Sequence, residues 1–408
     1  MSVELNEVQK CLIDKIAKEN GFNNYELKTN KGSEKGDNFL GILTTVTIKN
    51  GKDKLDLILK SAHQNEAFRK AAPLRSAYLR EIYLYENVFN EFKKYQENHN
   101  VADIFDNYAK IYGSSIVEES ECLILENLKT QGYQLWNKQQ PMNSEHISAV
   151  LQGYAKFHGT SMAMKHKNPE LYENITEDIS SSIWENDEFV ANKDKFDSFF
   201  RTVMNIGYKS IEDDPALTEF LKILEPQFSD MFSDGLKDPE YKTSIVHGDC
   251  WCNNLLFKYE GSDNKRPLDV KYIDWQISHV NSPAYDFCYF FLAHSPKEIL
   301  DDYKTYLKLY YDTFSKHLRS LNCDPDEIFP FSRFEKHINR FMIFGLYMCF
   351  TILKIMLCDS EEAPDFGEMA EDGDMLQSMN FKFKNFDIFK ERIRNLVVFV
   401  KDNNFISK

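Results

Sequence analysis

One island of strand signals interrupts an otherwise helical stretch of this chain, and it sets the path of everything around it. Beyond Gly132 the apolar residues recur at helical spacing, as in Glu145 to His166 and Ala216 to Phe232. Between Thr243 and Trp275 the pattern changes to Ser244-Ile-Val, Asn254-Leu-Leu-Phe-Lys-Tyr and Leu268-Asp-Val-Lys-Tyr-Ile. The last two are joined by the turn-rich Glu260-Gly-Ser-Asp-Asn-Lys265. A hairpin of that length folds the chain back on itself. The end of its second strand, at Asp274, is thereby predicted to lie beside the start of its first, at Asn254.

The first part of the chain has the opposite character. Tyr25 to Thr29 and Phe39 to Lys49 are β-rich runs separated by the turn-forming Asn30 to Asn38, and a third run, Lys54 to Ser61, follows the Asn50-Gly51 hairpin signal. From Leu74 to Tyr95 the residues Leu79, Ile82, Tyr83, Val88 and Phe89 take helical spacing, with Pro73 at a position a helix start tolerates. Ile111 to Val117 and Cys122 to Leu125 read as two further strands. The expected architecture is α+β and two-lobed. A five-stranded antiparallel sheet with one long helix forms residues 1–128, a hinge lies at about 126–132, and a mainly helical lobe with a loop and β-hairpin forms residues 133–408.

Composition removes several function classes. The formal net charge is -15, with acidic residues spread along 408 positions, and such a surface repels a phosphate backbone. Nucleic acid is therefore not an expected partner, although a local pocket of lysine, backbone amides and divalent metal still holds a nucleotide. The polar start Met1-Ser-Val-Glu-Leu-Asn-Glu lacks the marks of a secretory signal, which gives a cytoplasmic expectation. The eight cysteines are then expected as reduced thiols, and Cys250 with Cys252 has no second close pair to complete a tetrahedral metal site. The most apolar run, Phe341 to Leu353, is shorter than the roughly 20 residues a membrane span needs, so a buried helix is expected there.

Chemistry gathers in Val246-His-Gly-Asp-Cys-Trp-Cys-Asn-Asn-Leu-Leu-Phe257 and Tyr272-Ile-Asp-Trp275. Phosphoryl transfer needs a carboxylate near the attacking hydroxyl and oxygen ligands that hold Mg²⁺ against the β- and γ-phosphates of ATP. Asp249 supplies the first, and Asn254 with Asp274 the second. Asp249 and Asn254 stand five residues apart, the spacing of the Asp and Asn in a protein-kinase catalytic loop, with Gly248 in place of Arg. His247 is expected to prop this loop as a buried hydrogen-bonding group, since Asp249 already fills the role of base. Asp365-Phe-Gly367 spells the metal-binding tripeptide of protein kinases. It lies in an acidic loop without a preceding strand, and no A-P-E motif follows, so a small molecule is expected as acceptor rather than protein.

Ile245 to Phe257, Tyr272 to Trp275 and Ser282-Pro-Ala-Tyr-Asp-Phe-Cys-Tyr-Phe-Phe291 together resemble the ecdysteroid kinase-like (CHK kinase-like) family, within the aminoglycoside phosphotransferase and choline kinase superfamily. The resemblance implies that Lys60 meets the α- and β-phosphates and pairs with an acid on the long helix, Glu81 or else Glu86. It implies that the loop carrying Gly32, Ser33, Gly36, Asp37 and Asn38 covers the phosphates with backbone amides. Glu126, Asn127 and Leu128 would meet adenine through backbone groups. Asp286 would brace the catalytic loop from the following helix. The implied acceptor is an ecdysteroid or another lipophilic alcohol. A choline- or aminoglycoside-like acceptor, a catalytically silent nucleotide-binding protein and a metal-dependent hydrolase built on His247 and Asp249 are the rival readings.

Overall fold

The computed structural model describes residues 3–32, 41–66, 69, 73–182, 193–231, 235–261, 264–359, 361–362 and 381–406. Its first layer is an antiparallel sheet of β1 Glu26–Lys31, β2 Gly41–Asn50, β3 Asp53–Ala62, β4 Ile111–Ser115 and β5 Cys122–Glu126, in the order β1-β2-β3-β5-β4. All five strands occur where the β-rich runs of the sequence put them, and in β3 the side chains alternate between the two faces. In β3 that alternation directs Leu57 and Leu59 into the small core on one face, which leaves Lys60 for the other.

The small core contains a helix that strand-dominated reading of this region passes over: α1 Glu7–Glu19, which lays Ile13, Ile16 and Ala17 against Val46, Leu57, Leu59 and Ile124. Its signal lies in residues 6 to 17. The Asn6 side chain accepts from the Gln9 N–H at 2.9 Å while the Gln9 side chain accepts from the Asn6 N–H at 3.1 Å, a capping box just ahead of apolar residues at helical spacing.

The long helix expected from Leu74 to Tyr95 is one rod built from α2 Leu74–Tyr83, a π-helical turn Leu84–Val88, and α3 Phe89–Asn98. The wide turn shifts the helical phase. It keeps Tyr78, Glu81 and Ile82 before it, and Phe89 and Phe92 after it, all turned inward.

The second lobe packs helices around α4 Ser144–Lys167, with α5 Lys193–Ser210, α6 Pro215–Asp230, α7 Pro283–His294, α8 Tyr303–Ser320, α9 Phe331–Leu357 and α10 Phe386–Asp402 as its other longer members. α9 contains the apolar run noted above. It is long and apolar enough to cross a membrane by composition, yet most of it is buried inside this lobe. It crosses α7 at Gly345, where a Cβ would come within 2.6 Å of the Cys288 carbonyl oxygen, so only glycine permits the approach.

The strand island holds β7 Ser244–Val246, β8 Leu255–Tyr259 and β9 Pro267–Tyr272, with β8 and β9 paired as the predicted hairpin. Two short partners escape the periodicity: β6 Tyr133–Leu135 joins β8, and β10 His279–Asn281 joins β7. Three residues are too few to show a period. The sheet lobe is tied to this hairpin where the Tyr272 N–H donates to the Asn107 carbonyl at 2.7 Å and the Asn107 amide donates to the Val270 carbonyl at 2.9 Å.

Candidate active site

Lys60 reaches the cleft between the lobes because β3 alternates, and two carboxylates meet it there. Its Nζ stands 2.7 Å from Glu81 Oε2 on α2 and 2.8 Å from Asp274 Oδ1 just past β9. Burial opposes the charge on Lys60, but Asp274 and Glu81 outweigh it and hold the ammonium's pKa above its ordinary value. Burial pushes the Glu81 carboxyl up, and the adjacent ammonium opposes that. The other Glu81 oxygen accepts from the Trp275 N–H at 3.3 Å, so α2 holds both Lys60 and the segment carrying Asp274. Glu86, the alternative partner, instead accepts from the Ser114 hydroxyl at 2.6 Å on the exposed side of α2 and α3.

Asp249 and Asn254 share the loop between β7 and β8. The Asn254 Nδ2 donates to Asp249 Oδ2 at 2.9 Å and to the Asp249 carbonyl at 3.0 Å, which folds the five-residue interval into a closed ring. The hairpin then closes as its length requires, with the Ile273 N–H donating to the Asn254 carbonyl at 3.0 Å. Asp274 follows immediately in the left-handed region, at φ 64°, a strained conformation for a non-glycine residue. Burial pushes the Asp249 carboxyl up to about 7, the charge of Asp274 adds to this, and hydrogen bonds from Asn254, Trp251 and Tyr289 pull the other way.

The loop is braced from below. Asp286 accepts from the His247 N–H at 2.6 Å and the Gly248 N–H at 3.0 Å, while its Oδ2 also lies 3.0 Å from His158 Nε2. Burial would raise this carboxyl, but the His158 bond and charge outweigh it and leave it below its usual range. His247 Nδ1 accepts from the Asp249 N–H at 3.2 Å, and Nε2 donates to the Ile273 carbonyl at 3.0 Å. Burial keeps this ring neutral, and both nitrogens are engaged in holding backbone. Gly248 sits at φ 89°, with the place of a Cβ 2.7 Å from the Ile277 carbonyl oxygen. An Arg or any other side chain is excluded there.

The remaining predicted residues divide. The Gly32 N–H donates to the Leu43 carbonyl at 2.8 Å, so this amide continues the β1–β2 pairing and is not spare for a phosphate, a correction to the expectation for it. Ser33, Gly36, Asp37, Asn38 and the Asp365-Phe-Gly367 tripeptide lie outside the described residues. In the hinge the Glu126 N–H donates to the Lys110 carbonyl at 2.9 Å and the Asn127 N–H to the Asp56 carbonyl at 3.1 Å. The sheet thus occupies two of the three amides expected to face adenine.

Sequence reading missed three neighbours of the loop. Tyr289, one turn beyond Asp286 on α7, places its hydroxyl 3.4 Å from Asp249 Oδ1. Trp251 hydrogen-bonds the same carboxylate. The i, i+3 spacing of Asp286 and Tyr289 is a usable signal. His158 has none, since it comes from α4, 128 positions from its partner.

The donor set is made of oxygen. Among the described residues no cluster of three or more His, Cys, Asp or Glu side chains is arranged to hold a metal, while the bond from the Ile273 N–H to the Asn254 carbonyl brings Asp274 next to Asn254. Two protein ligands of this kind suit Mg²⁺, which keeps water and substrate phosphate in its shell.

A search of curated proteins by sequence finds no match. Among solved structures, a putative fructosamine-3-kinase from Haemophilus somnus 129PT aligns over 94% of this chain and 96% of its own at 12% identity and a TM-score of 0.36, too loose an overlap to support inference. The family comparison is decisive: residues 35–323, well over half of the sequence, match the ecdysteroid kinase-like family, and the chain belongs to that family.

Proposed function

We propose that the protein is a small-molecule kinase that transfers the γ-phosphoryl group of Mg²⁺-ATP to a hydroxyl of a lipophilic alcohol, an ecdysteroid or a related steroid or xenobiotic. The observation that carries the reading is the convergence of Lys60, Glu81 and Asp274 at one point of the cleft, next to the Asp249–Asn254 pair.

Each side chain has a task in this reading. Asp249 accepts the proton of the acceptor hydroxyl, and a pKa raised to about 7 makes its carboxylate a better base near neutrality. Lys60, oriented by Glu81, neutralises charge on the phosphates. Asn254, with Nδ2 committed to Asp249, has Oδ1 for the metal, and Asp274 gives a carboxylate. The ion, when bound, spreads the charge that develops on the β- and γ-phosphate oxygens. With the amides of Glu126 and Asn127 bonded into the sheet, the Leu128 N–H and the Glu126 carbonyl are left to meet adenine.

Trp251 and Tyr289 line Asp249, and the Tyr289 ring meets Phe344 edge-on at 6.4 Å. Such surroundings suit an acceptor with an apolar body. The hydrolase alternative loses its footing, because both nitrogens of His247 are bonded to backbone. A silent nucleotide-binding protein is separated by experiment. Ecdysteroids and other lipophilic alcohols incubated with labelled ATP and magnesium, and scored by mass spectrometry, should yield a phosphorylated product. A protein that binds ATP but phosphorylates none of them contradicts the proposal.

A further inference from the structure

Below the catalytic loop, three nitrogen donors are closed off from solvent without a hydrogen-bond partner: Lys138 Nζ, Arg392 Nη1 and Asn253 Nδ2. They come from distant parts of the chain, and the segments carrying Arg392 and Lys138 both meet the C-terminal end of α7. Arg392 on α10 donates its other nitrogen, Nη2, to the Ala293 carbonyl at 2.7 Å. The segment carrying Lys138 is fastened beside it, with the Met142 N–H donating to the His294 carbonyl at 2.8 Å. Asn253 lies within the loop itself, its Oδ1 3.9 Å from the Cys252 sulfur. Lys138 and Arg392 both act electrostatically on that same Cys252 thiol, which burial nonetheless pushes up to about 12.

Two cations therefore act on the thiol of Cys252, and the next residue, Asn253, adds an amide donor four residues along the loop from Asp249. Burying a cation without a counter-charge is strongly unfavourable, so such an arrangement calls for an anion. Among the described residues, the carboxylates on the Lys138 side have other partners. Asp359 accepts from the Gln139 amide at 2.7 Å, and Glu362 accepts from the N–H groups of Asp359 and Lys384, each at 2.9 Å. Next to these donors is His294 Nε2, also buried and unpartnered. It is a lone pair, because Nδ1 donates to the Phe290 carbonyl at 2.8 Å and burial drives the ring to its neutral form. Lys138 and Arg392 are only half-buried as residues, so part of each remains in contact with solvent although these nitrogens do not.

We infer that Lys138, Arg392 and Asn253 form an anion-binding subsite of the acceptor pocket, which takes a carboxylate, phosphate or sulfate group. The charge of the ligand follows from these donors alone; its identity as part of the acceptor rests on the phosphotransferase reading. On that reading the preferred alcohol carries an acidic group at a distance from the hydroxyl that is phosphorylated.

Two arms test this with the full-length protein, its Lys138→Met variant and its Arg392→Met variant. Thermal shift with inorganic phosphate, sulfate or acetate at constant ionic strength reads free ions. Turnover of matched alcohols, a neutral steroid alcohol and its carboxylate or sulfate conjugate, reads the acceptor. The wild type should be stabilised by the ions, or favour the acidic conjugate by about tenfold or more in kcat/KM, the scale of charge-assisted hydrogen bonds. Both variants should lose that response. A response to ions alone assigns the site to a free anion, and a preference for conjugates alone assigns it to the acceptor. Should Arg392→Met fail to fold, Lys138→Met still decides, because the Lys138 ammonium makes no hydrogen bond that the change would remove. Identical behaviour of wild type and variants toward every ion and every pair overturns the inference. If no alcohol is phosphorylated at all, the kinase reading fails, and the thermal shifts still decide the anion site.

Discussion

Lys60 meets one carboxylate from 21 positions away and another from 214, and neither contact is visible in local sequence. What is visible is that β3 turns a lysine away from its own core. Replacing Lys60 with Met should lower kcat by about 10²–10³-fold, the usual cost of losing one preorganised electrostatic group, with a weaker apparent affinity for Mg²⁺-ATP. Steady-state kinetics with any accepted alcohol checks this. Asp249 gives a prediction for stability. Its folded pKa of about 7 exceeds the ordinary 3.8, so the native state holds this proton more tightly than the unfolded chain does. The stability from that proton is fully present below pH 4 and is lost as pH rises through 7, a difference of roughly 4 kcal/mol at most. In metal-free buffer, Asp249→Asn should therefore melt above the wild type at pH 8, with the gap closing toward pH 4. Melting curves across that range read it directly, and a gap that widens on acidification contradicts the burial argument.

At the scale of elements, α7 does two jobs. Its first turn holds Asp286 under the loop between β7 and β8, and its middle lies against α9 at Gly345. Gly345→Ala would force the two helices apart against backbone atoms of Cys288, and should cost about 1–3 kcal/mol of stability by chemical denaturation while leaving the fold intact. The elements that sequence reveals are those long enough to display a period. β2, β3, the 74–98 rod and the β8–β9 hairpin were all legible, as was the pairing of Asp249 with Asn254, because it is local. Helix α1 had a legible signal in Asn6 and Gln9 that strand-dominated surroundings masked. β6 and β10 had none, because three-residue strands are stabilised by their partners rather than by their own pattern. The same reason hides His158 and the Lys138–Arg392 neighbourhood. Those contacts exist only once distant helices have packed.

Across the whole molecule, the cleft is the place where a small lobe and a large one share charges. Lys60 with Asp274 crosses it, Arg80 from α2 donates to the carbonyls of Ser181 and Ser278 at 2.8 Å, and Asn107 clasps β9. A ligand held from both sides stabilises the molecule as one unit. Mg²⁺-ATP at a hundred times its Kd should add about 2.7 kcal/mol and raise the Tm by a few degrees, while ATP with a chelator gives a smaller shift. Equal shifts with and without the metal would argue against Asn254 and Asp274 as its ligands. The central claim, that Asp249 is the base of a phosphotransferase, is tested most directly by turnover of an accepted alcohol and calorimetric Mg²⁺-ATP binding on the same Asp249→Asn preparation. The account predicts nucleotide affinity close to wild type and turnover lower by orders of magnitude. Near-normal turnover in that variant contradicts it.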